Sequence, residues 1–403
     1  MTVETELKLR IAPEQLVKLK RSPLLKAHQL TRPVTRRLYN TYFDTPKLEL
    51  NQSCMALRLR RSGKQWLQTL KGGGGVQGGL HRRNEWEVPV SGPALDFSLP
   101  QVAEWKELLP KKLRKQLQPV FVTDFSRNSR LIDWQGAHIE LCMDQGEVST
   151  EHARAPLCEL ELELKSGAPA QLFGFALAIL DIVPFELEAV SKAEQGYRLS
   201  GGYTEQAVKA SAMKLGKHEN LSASLQTLIW AVLQQLQRNV RGASGSDSVE
   251  YIHQMRVAIR RMRVLLRMAE SVCADEQLTG FKQEFAALGI LLGKIREWDV
   301  FFAQTVQPMS VRMQDDKSLR ALQIVCEQLR AAAYGALCND TQSRVLQRLM
   351  LRFSIWMNGA YWQTHELDGL NVRNFAESYL SRLARRFEQT GEHLASFQAI
   401  CIW

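Results

Sequence analysis

The stretch ETELKLRI, residues 4–11, alternates charged with apolar side chains. A period of two indicates a β-strand, because successive side chains of a strand point to opposite faces of its sheet. Five later stretches repeat the pattern: MALRLRRS (55–62), KQWLQTLK (64–71), NEWEVPV (84–90), HIELCMD (138–144) and CELELELK (158–165). We therefore predict an α+β fold with mostly antiparallel strands up to about residue 200, with helical patterns at 12–25, 102–117 and 168–180.

The second half of the chain has a helical period instead. Apolar residues recur at helical spacing from Leu221 to Leu236, and similar patterns continue to the end of the chain. We predict a first domain at 1–200, a polar linker at 201–217 and an all-α domain at 218–403. Glycines at 242 and 245 should separate the first two helices, and the glycine-rich run at 71–79 should form a flexible hairpin loop.

Composition favours a cytoplasmic protein with a polyanionic partner. The chain has 403 residues, and its 52 Lys and Arg against 42 Asp and Glu leave a net charge of +10. Its seven cysteines are scattered without a C-x-x-C pair, which fits a reducing compartment. The first residues do not resemble a signal peptide, and the most apolar run, 172–185, is interrupted by Asp181 and Pro184, so we expect no membrane segment.

The charged faces of the strands are unusual in composition. Glu4, Glu6 and Lys8 share one face of the first strand. Taken alone, such a face is most simply a solvated side of a sheet. Other strands carry only bases (Arg58 and Arg60) or only acids (159, 161 and 163), and like charges need opposite charges or ions across from them. A closed barrel holding both signs would supply those partners, and both signs together suit a metal complexed with phosphate.

These motifs resemble the CYTH, or triphosphate tunnel metalloenzyme, superfamily. The shared features, in order, are E-x-E-x-K at 4–8, R-x-R at 58–60, Lys71, the alternating acids of CELELEL and S-K at 191–192. The resemblance implies an eight-stranded antiparallel barrel that forms a tunnel, dependence on Mg²⁺ or Mn²⁺, and hydrolysis or cyclisation at a triphosphate.

The resemblance also implies roles for individual residues. The metal ligands would be Glu4, Glu6, Asp144, Glu159, Glu161 and Glu163. The phosphate-binding residues would be Lys8, Arg58, Arg60, Lys71, Arg83, Arg127 and Lys192, and the catalytic residues Lys8, Lys71, Arg83 and Glu85. One departure concerns Gln195, which stands where the family often has an arginine before Gly-Tyr.

A basic helix is expected in the second half. The stretch HQMRVAIRRMRVLLR, residues 253–267, contains no acid, and its basic residues recur along one side of a helix. A solvated basic face is the simple alternative. H-x-x-R-V-A-x-R-R-x-R followed by G-x-x-R-E-x-D-V resembles the CHAD domain, a helical bundle associated with polyphosphate binding. The residues implied to bind polyphosphate are His253, Arg256, Arg260, Arg263, Lys294 and Arg296. The second basic helix usual in that family is not found before Trp403, so we expect a truncated bundle.

Several functions are consistent with the sequence. The order of the two domains is typical of bacterial inorganic triphosphatases, which cleave triphosphate to pyrophosphate and phosphate. The alternatives are a thiamine triphosphatase or class IV-type adenylate cyclase that uses the same tunnel, and a non-catalytic polyphosphate-binding protein. Nucleic acid is disfavoured as a partner, because the basic helix lacks interleaved aromatic residues.

Overall fold

The computed structural model describes residues 2–77, 79–102, 104–201, 206–212, 215, 220–245, 249–313, 316–363 and 369–396. The strands are β1 (Thr2–Arg10), β2 (Val34–Asp44), β3 (Ala56–Ser62), β4 (Gln65–Gln77), β5 (Leu80–Val90), β6 (Gln118–Trp134), β7 (Ala137–Ser149), β8 (Arg154–Ser166) and β9 (Glu186–Leu187). The helices of the first half are α1 (Pro13–Lys20), α2 (Pro23–His28), α3 (Glu49–Gln52), α4 (Trp105–Leu108), α5 (Lys111–Arg114), α6 (Pro169–Ile182) and α7 (Lys192–Leu199).

Strands β1 to β8 form a closed antiparallel barrel, which confirms the predicted fold. The strand order is β5-β4-β3-β2-β6-β7-β8-β1, and β1 also pairs with β5, so the sheet returns on itself. The two-residue strand β9 pairs beside the end of β1. Because the barrel is closed, the two faces of every strand become an inside and an outside.

The apolar face of each strand lies outside and is covered by helices. Leu7 and Leu9 of β1 belong to a fully buried cluster with Leu160 of β8, and α1 and α6 contribute Leu16 and Phe173 to it. Burial of one such side chain stabilises the fold by about 2 kcal/mol. The arrangement leaves the charged face of the same strands for the barrel interior.

Local structure differs from the predictions at four places. The predicted helix at 12–25 is divided at Ser22, which caps α2, and the pattern at 102–117 forms two short helices. The glycine-rich run is part of β4 rather than a separate loop, because a bulge between Gly72 and Gly75 lets the strand continue to Gln77. Gly242 lies inside α8, against the ring of Tyr251, where a Cβ atom would lie 2.2 Å from a ring carbon, so of the two predicted separating glycines only Gly245 stands at the end of that helix.

The second half is helical, as predicted. Its elements are α8 (Leu221–Gly245), α9 (Val249–Glu270), α10 (Glu276–Phe301), a π-helical turn (Phe302–Val306), α11 (Gln307–Arg312), α12 (Lys317–Cys338), α13 (Asp340–Met357) and α14 (Val372–Ser396). Within the described residues no helix has both the length and the apolar character needed to cross a bilayer. Of the predicted linker, 202–205, 213, 214, 216 and 217 lie outside the described residues.

The helical half packs directly on the barrel. Leu351 of α13 is fully buried within the apolar cluster that covers the barrel beside α6. The side-chain oxygen of the buried Gln347 accepts a hydrogen bond of 3.0 Å from the backbone nitrogen of Leu187. An ion pair joins Arg348 to Asp181 at 2.5 Å. The two halves therefore share an interface that combines apolar packing, a hydrogen bond and an ion pair.

Candidate active site in the barrel

The charged faces of the strands enclose a cavity of about 270 Å³ inside the barrel. Twelve of the residues predicted to act there line it: Glu4, Glu6, Lys8, Arg58, Arg60, Lys71, Arg83, Glu85, Arg127, Glu161, Glu163 and Lys192. The remaining two, Asp144 and Glu159, lie behind this lining and are 0% and 2% exposed. The predicted residues thus come together around one cavity.

Strand register sets which charges oppose each other. On the β1–β8 pair, Lys8 stands opposite Glu161 and Glu6 stands opposite Glu163. On the β6–β7 pair, Arg127 stands opposite Asp144. Residues directly opposite on neighbouring strands have close side chains, so this register brings acids and bases from four strands into contact.

Three buried carboxylates form one cluster, contributed by Asp144 of β7 and by Glu159 and Glu161 of β8. Each offers an oxygen atom within 4.8 Å of the others. The ammonium group of Lys192, the first residue of α7, lies 2.7 Å from Asp144 and 2.8 Å from Glu161, and it also contacts Glu159. Arg127 forms a two-point contact with Asp144 and a further contact with Glu161. Buried carboxylates at this spacing need such cations to remain ionised.

The donor set fits a hard divalent cation. Oxygen ligands from a few carboxylates are what Mg²⁺ and Mn²⁺ prefer, and this cluster supplies three. Burial raises the pKa of Glu159 even though Lys192 and Lys8 act against it. Burial also disfavours the charged form of Glu161, but Lys192, Lys8 and Arg127 outweigh it and hold the pKa of that carboxyl well below its usual range. An added cation would favour the ionised form of Glu159.

Glu4, Glu6 and Glu163 make different contacts from this cluster. Glu4 accepts a bond of 2.5 Å from Lys71, and Glu6 lies 3.2 Å from Lys8. Glu163 lies 2.6 Å from Lys165, and burial raises its pKa. These three acids face the cavity, whereas Asp144 and Glu159 lie beneath its surface.

The wall of the cavity formed by Arg58 and Arg60 carries positive charge. Burial and the neighbouring cations Arg58 and Arg127 lower the pKa of Arg60 to about 10, although Asn40 accepts a bond of 2.7 Å from it. Arg58 lies 3.3 Å from Glu85. Burial acts to lower the pKa of Arg58, yet Tyr42 and Glu85 reverse that effect and raise it. Arginines crowded in this way are suited to bind an anion, because an anion relieves their mutual repulsion.

Several lining residues were missed in the sequence, among them Tyr42, Glu140 and Lys165. Glu140 lies two positions before Cys142 and four before Asp144, on the same face of β7, and Lys165 lies two positions after Glu163 on β8. Extending the period-two rule along each strand would have found both. Tyr42 shares a strand face with Asn40, but β2 has no charged alternation that would have drawn attention to it.

A second charged cavity, of about 170 Å³, lies in the helical half. Its lining includes His253, Arg256, Arg260 and Arg263 of α9, together with Gly289 of α10. Arg256, Arg260 and Arg263 are exposed. Lys294 and Arg296 lie further along α10 and are not among the residues that line this cavity. Four of the six residues predicted to bind polyphosphate thus line one cavity.

Two family models match the chain, one over each half. Residues 2–197 match the CYTH domain and residues 227–399 match the CHAD domain. An inorganic triphosphatase from Haemophilus influenzae is 35% identical over 205 residues, which are 49% of this chain and 55% of that protein. The chain thus spans little more than half the length of this curated relative.

Two solved structures show weaker likenesses. HpAC1 from Hippeastrum, described as having a dominant triphosphatase activity, is 20% identical with a TM-score of 0.34, over 48% of this chain and 95% of that one. The CHAD domain from the plant Ricinus communis is 24% identical with a TM-score of 0.38, over 45% of this chain and 59% of that one. Likenesses of this strength carry no inference about activity. The family matches over both halves, together with the closed barrel and the helical bundle, show that the chain belongs to the proteins in which a CYTH domain is followed by a CHAD domain.

Proposed function

We propose that this protein is a metal-dependent inorganic triphosphatase, which hydrolyses triphosphate to pyrophosphate and phosphate inside the barrel. The observation that carries the proposal is that one cavity is lined by both carboxylates and a set of arginine and lysine side chains. Phosphoryl transfer requires mainly positioning and charge neutralisation, which such a lining can supply.

The side chains divide into two sets by the charge they contribute. Arg58, Arg60, Arg83 and Arg127 with Lys8, Lys71 and Lys192 would bind the phosphate oxygens. Asp144, Glu159 and Glu161, with Glu4, Glu6 and Glu163 facing the cavity, would hold Mg²⁺ or Mn²⁺. When bound, the cation would neutralise phosphate charge and make water acidic enough to attack near neutral pH.

Catalytic roles are proposed for Lys8, Lys71, Arg83 and Glu85. Lys71 lies 3.4 Å from Glu85 and 2.5 Å from Glu4. Glu85 therefore orients Lys71 and Arg58 toward the substrate from one side of the cavity. A lysine fixed at this position is suited to stabilise negative charge that develops on a transferring or leaving phosphate.

The choice of inorganic triphosphate over a nucleotide rests on the character of the lining. Among the described residues that line the cavity, Tyr42 is the one aromatic side chain, and the others are mainly charged. A nucleobase or thiazole ring would leave such charges poorly solvated. Thiamine triphosphate hydrolysis and adenylate cyclisation are the alternatives, because both would use the same phosphate-binding residues.

A second proposed function concerns the helical half. The exposed arginines of α9 line a cavity with no described acid in its lining, which supports binding of inorganic polyphosphate there. The cytoplasm is the proposed location. It is supported by the free cysteines at 54, 142, 158, 273 and 326, which fit a reducing compartment.

A substrate panel tests the proposed activity. Triphosphate, thiamine triphosphate, ATP and long-chain polyphosphate would each be assayed with Mg²⁺, Mn²⁺ and a chelator. The proposal expects phosphate release to be fastest from triphosphate and to stop with the chelator. Faster turnover of ATP or of thiamine triphosphate would favour one of the alternative enzymes over an inorganic triphosphatase. Binding of polyphosphate without any hydrolysis would favour a non-catalytic polyphosphate-binding protein.

A matched pair of substitutions ties the activity to the cavity. Glu161→Gln should lower kcat/KM for triphosphate by about 100-fold, since one preorganised charged group commonly contributes that much. Glu147→Gln is the control, because Glu147 pairs with the exposed Arg154 on the outside of the barrel. Equal activities of the two variants would show that Glu161 takes no part in the proposed reaction.

A further inference from the structure

A short segment connects two of the cavity lysines. The backbone nitrogen of Glu188 donates a hydrogen bond of 2.8 Å to the carbonyl oxygen of Lys8 on β1. Four residues later, the side chain of Lys192 reaches the carboxylates of Asp144 and Glu161. The position of this segment therefore sets how far the ammonium group of Lys192 extends into the barrel.

Helix α8 of the helical half holds this segment at two points. Arg238 lies 2.8 Å from the carboxylate of Glu194, which is in the first turn of α7. Arg241 lies 3.5 Å from the carboxylate of Glu188, whose side chain is only 5% exposed. Both acids flank Lys192 along the chain, so α8 contacts the segment on each side of that lysine.

The beginning of α7 transmits these contacts to Lys192. The hydroxyl oxygen of Ser191 accepts a hydrogen bond of 3.2 Å from the backbone nitrogen of Glu194 and so caps the helix. A helix of eight residues is marginal by itself and depends on tertiary contacts. Glu194 takes part in this cap through its backbone nitrogen and contacts Arg238 through its carboxylate, which also lies 3.1 Å from Arg198 of the same helix. Arg238 therefore ties the start of α7, where Lys192 lies, to α8.

We propose that Arg238 and Arg241 are positioning residues of the barrel's active site, which fix Lys192 for phosphate binding through Glu194 and Glu188. The CHAD domain is on this basis a structural part of the triphosphatase site as well as a separate basic surface. The inference rests on the proposed function for its kinetic consequence, whereas the placement of Lys192 can be measured without any activity.

The exposure of the ion pair separates this role from a general contribution to stability. The side chain of Arg238 is 30% exposed, and a partly exposed pair adds at most about 1 kcal/mol to folding. Misplacement of a substrate-binding group by about 1 Å can in contrast reduce activity by 10- to 100-fold. A positioning role therefore predicts a kinetic effect much larger than the change in thermal stability.

The test uses Arg238→Met, with Arg238→Lys as the conservative variant and Arg348→Met as the matched control. Arg348 also pairs across the interface, but with Asp181 of α6, away from the segment that carries Lys192. Acetylation of individual lysines by acetic anhydride would be followed by mass spectrometry in chelator. KM and kcat for triphosphate would be measured with metal.

Arg238→Met should raise the acetylation rate of Lys192 several-fold and leave that of Lys8 unchanged. It should raise KM about tenfold, with kcat changed less than twofold, because the displaced group binds substrate. Arg238→Lys should recover most of both effects, and Arg348→Met should resemble the wild type. Unchanged acetylation of Lys192 in Arg238→Met would overturn the inference, as would a parallel rise for Lys8 with a lowered Tm. If Lys192 responds while the wild type releases no phosphate, the positioning stands and the proposed function fails.

Discussion

The ammonium nitrogen of Lys192 lies 2.7 Å from a carboxylate oxygen of Asp144. The same nitrogen lies 2.8 Å from Glu161, so the lysine neutralises part of the carboxylate cluster that fits a divalent cation. Lys192 and a bound cation would therefore be attracted by the same carboxylates. A phosphate bound nearby would favour both, because it would supply the negative charge that they otherwise share.

Replacement of this lysine should affect metal and substrate in opposite directions. In Lys192→Met, the uncompensated acids should bind Mn²⁺ more tightly without triphosphate, by about tenfold, whereas triphosphate should bind more weakly. The metal-free variant should also lose about 3–5 kcal/mol of stability, since a buried ion pair is broken from one side. Calorimetric titration and thermal unfolding with and without Mn²⁺ measure these effects. Unchanged Mn²⁺ affinity would show that the cluster is not the metal site.

His81 should make the protein sensitive to acid. Burial, together with Lys8 and Arg83, lowers the pKa of His81 to about 3, while its Nε2 lies 3.2 Å from the carbonyl oxygen of Glu188. The unfolded chain binds the proton near pH 6.5 and the folded chain does not, so this contribution to stability is present above pH 6.5 and is lost progressively as the pH falls toward 3.

Comparison with His81→Gln isolates that contribution. Between pH 7 and pH 5 the wild type should lose on the order of 2 kcal/mol more stability than the variant, measured by thermal unfolding in chelator. The amide of the variant can still donate to Glu188 without taking up a proton. If the stability of the two proteins fell equally between pH 7 and pH 5, His81 would not be the source of the acid sensitivity.

Gly196 should tolerate no side chain. A Cβ atom at this position of α7 would lie 2.1 Å from a ring carbon of Phe121 on β6. Gly196→Ala should therefore cost about 1–3 kcal/mol through overpacking. Gly280 lies inside α10, and a Cβ atom there would meet no described atom of another part of the chain within 4 Å, so Gly280→Ala should raise stability by about 0.5–1 kcal/mol. Urea unfolding compares the two, and an unaffected Gly196→Ala would mean that α7 lies further from β6.

The basic face of α9 should bind polyphosphate through its exposed arginines. Arg260→Gln should weaken binding of long-chain polyphosphate about tenfold at low salt, as expected for loss of one charge-assisted contact. Arg373→Gln serves as control, because the exposed Arg373 pairs with Glu377 on α14. Equal affinities of the two variants, measured by fluorescence anisotropy, would place the polyphosphate site elsewhere.

The barrel and its charged interior could be predicted because period two is a local property of the chain. Glu4, Glu6 and Lys8 share a face in any strand, whatever the strand pairs with. Register is not local, however. That Lys71 contacts Glu4, and that Lys192 enters the acid cluster, follow from pairing and from the path of α7, neither of which leaves a periodic signal in the sequence.

The interface between the two halves could not be predicted from the sequence, for a similar reason. Arg238 and Glu194 are 44 residues apart and are ordinary surface residues by pattern. Their contact depends on how α8 packs on the barrel. Gly242 shows that a local signal can also mislead. Glycine often ends a helix, but Gly242 lies inside α8, where its lack of a side chain makes room for the ring of Tyr251 on α9. Local preference was overridden by packing.

The pairing of β1 on both sides has a consequence for the order of folding. β1 pairs with β5 through contacts such as Glu4 with Arg83, but its other partner is β8, where Glu6 stands opposite Glu163. A strand made early must wait until more than 150 further residues have left the ribosome before the barrel can close. Contacts so distant along the chain slow folding and expose an unpaired edge meanwhile. Closure of the barrel should therefore be a late step of folding, which cannot begin before β8 has been synthesised.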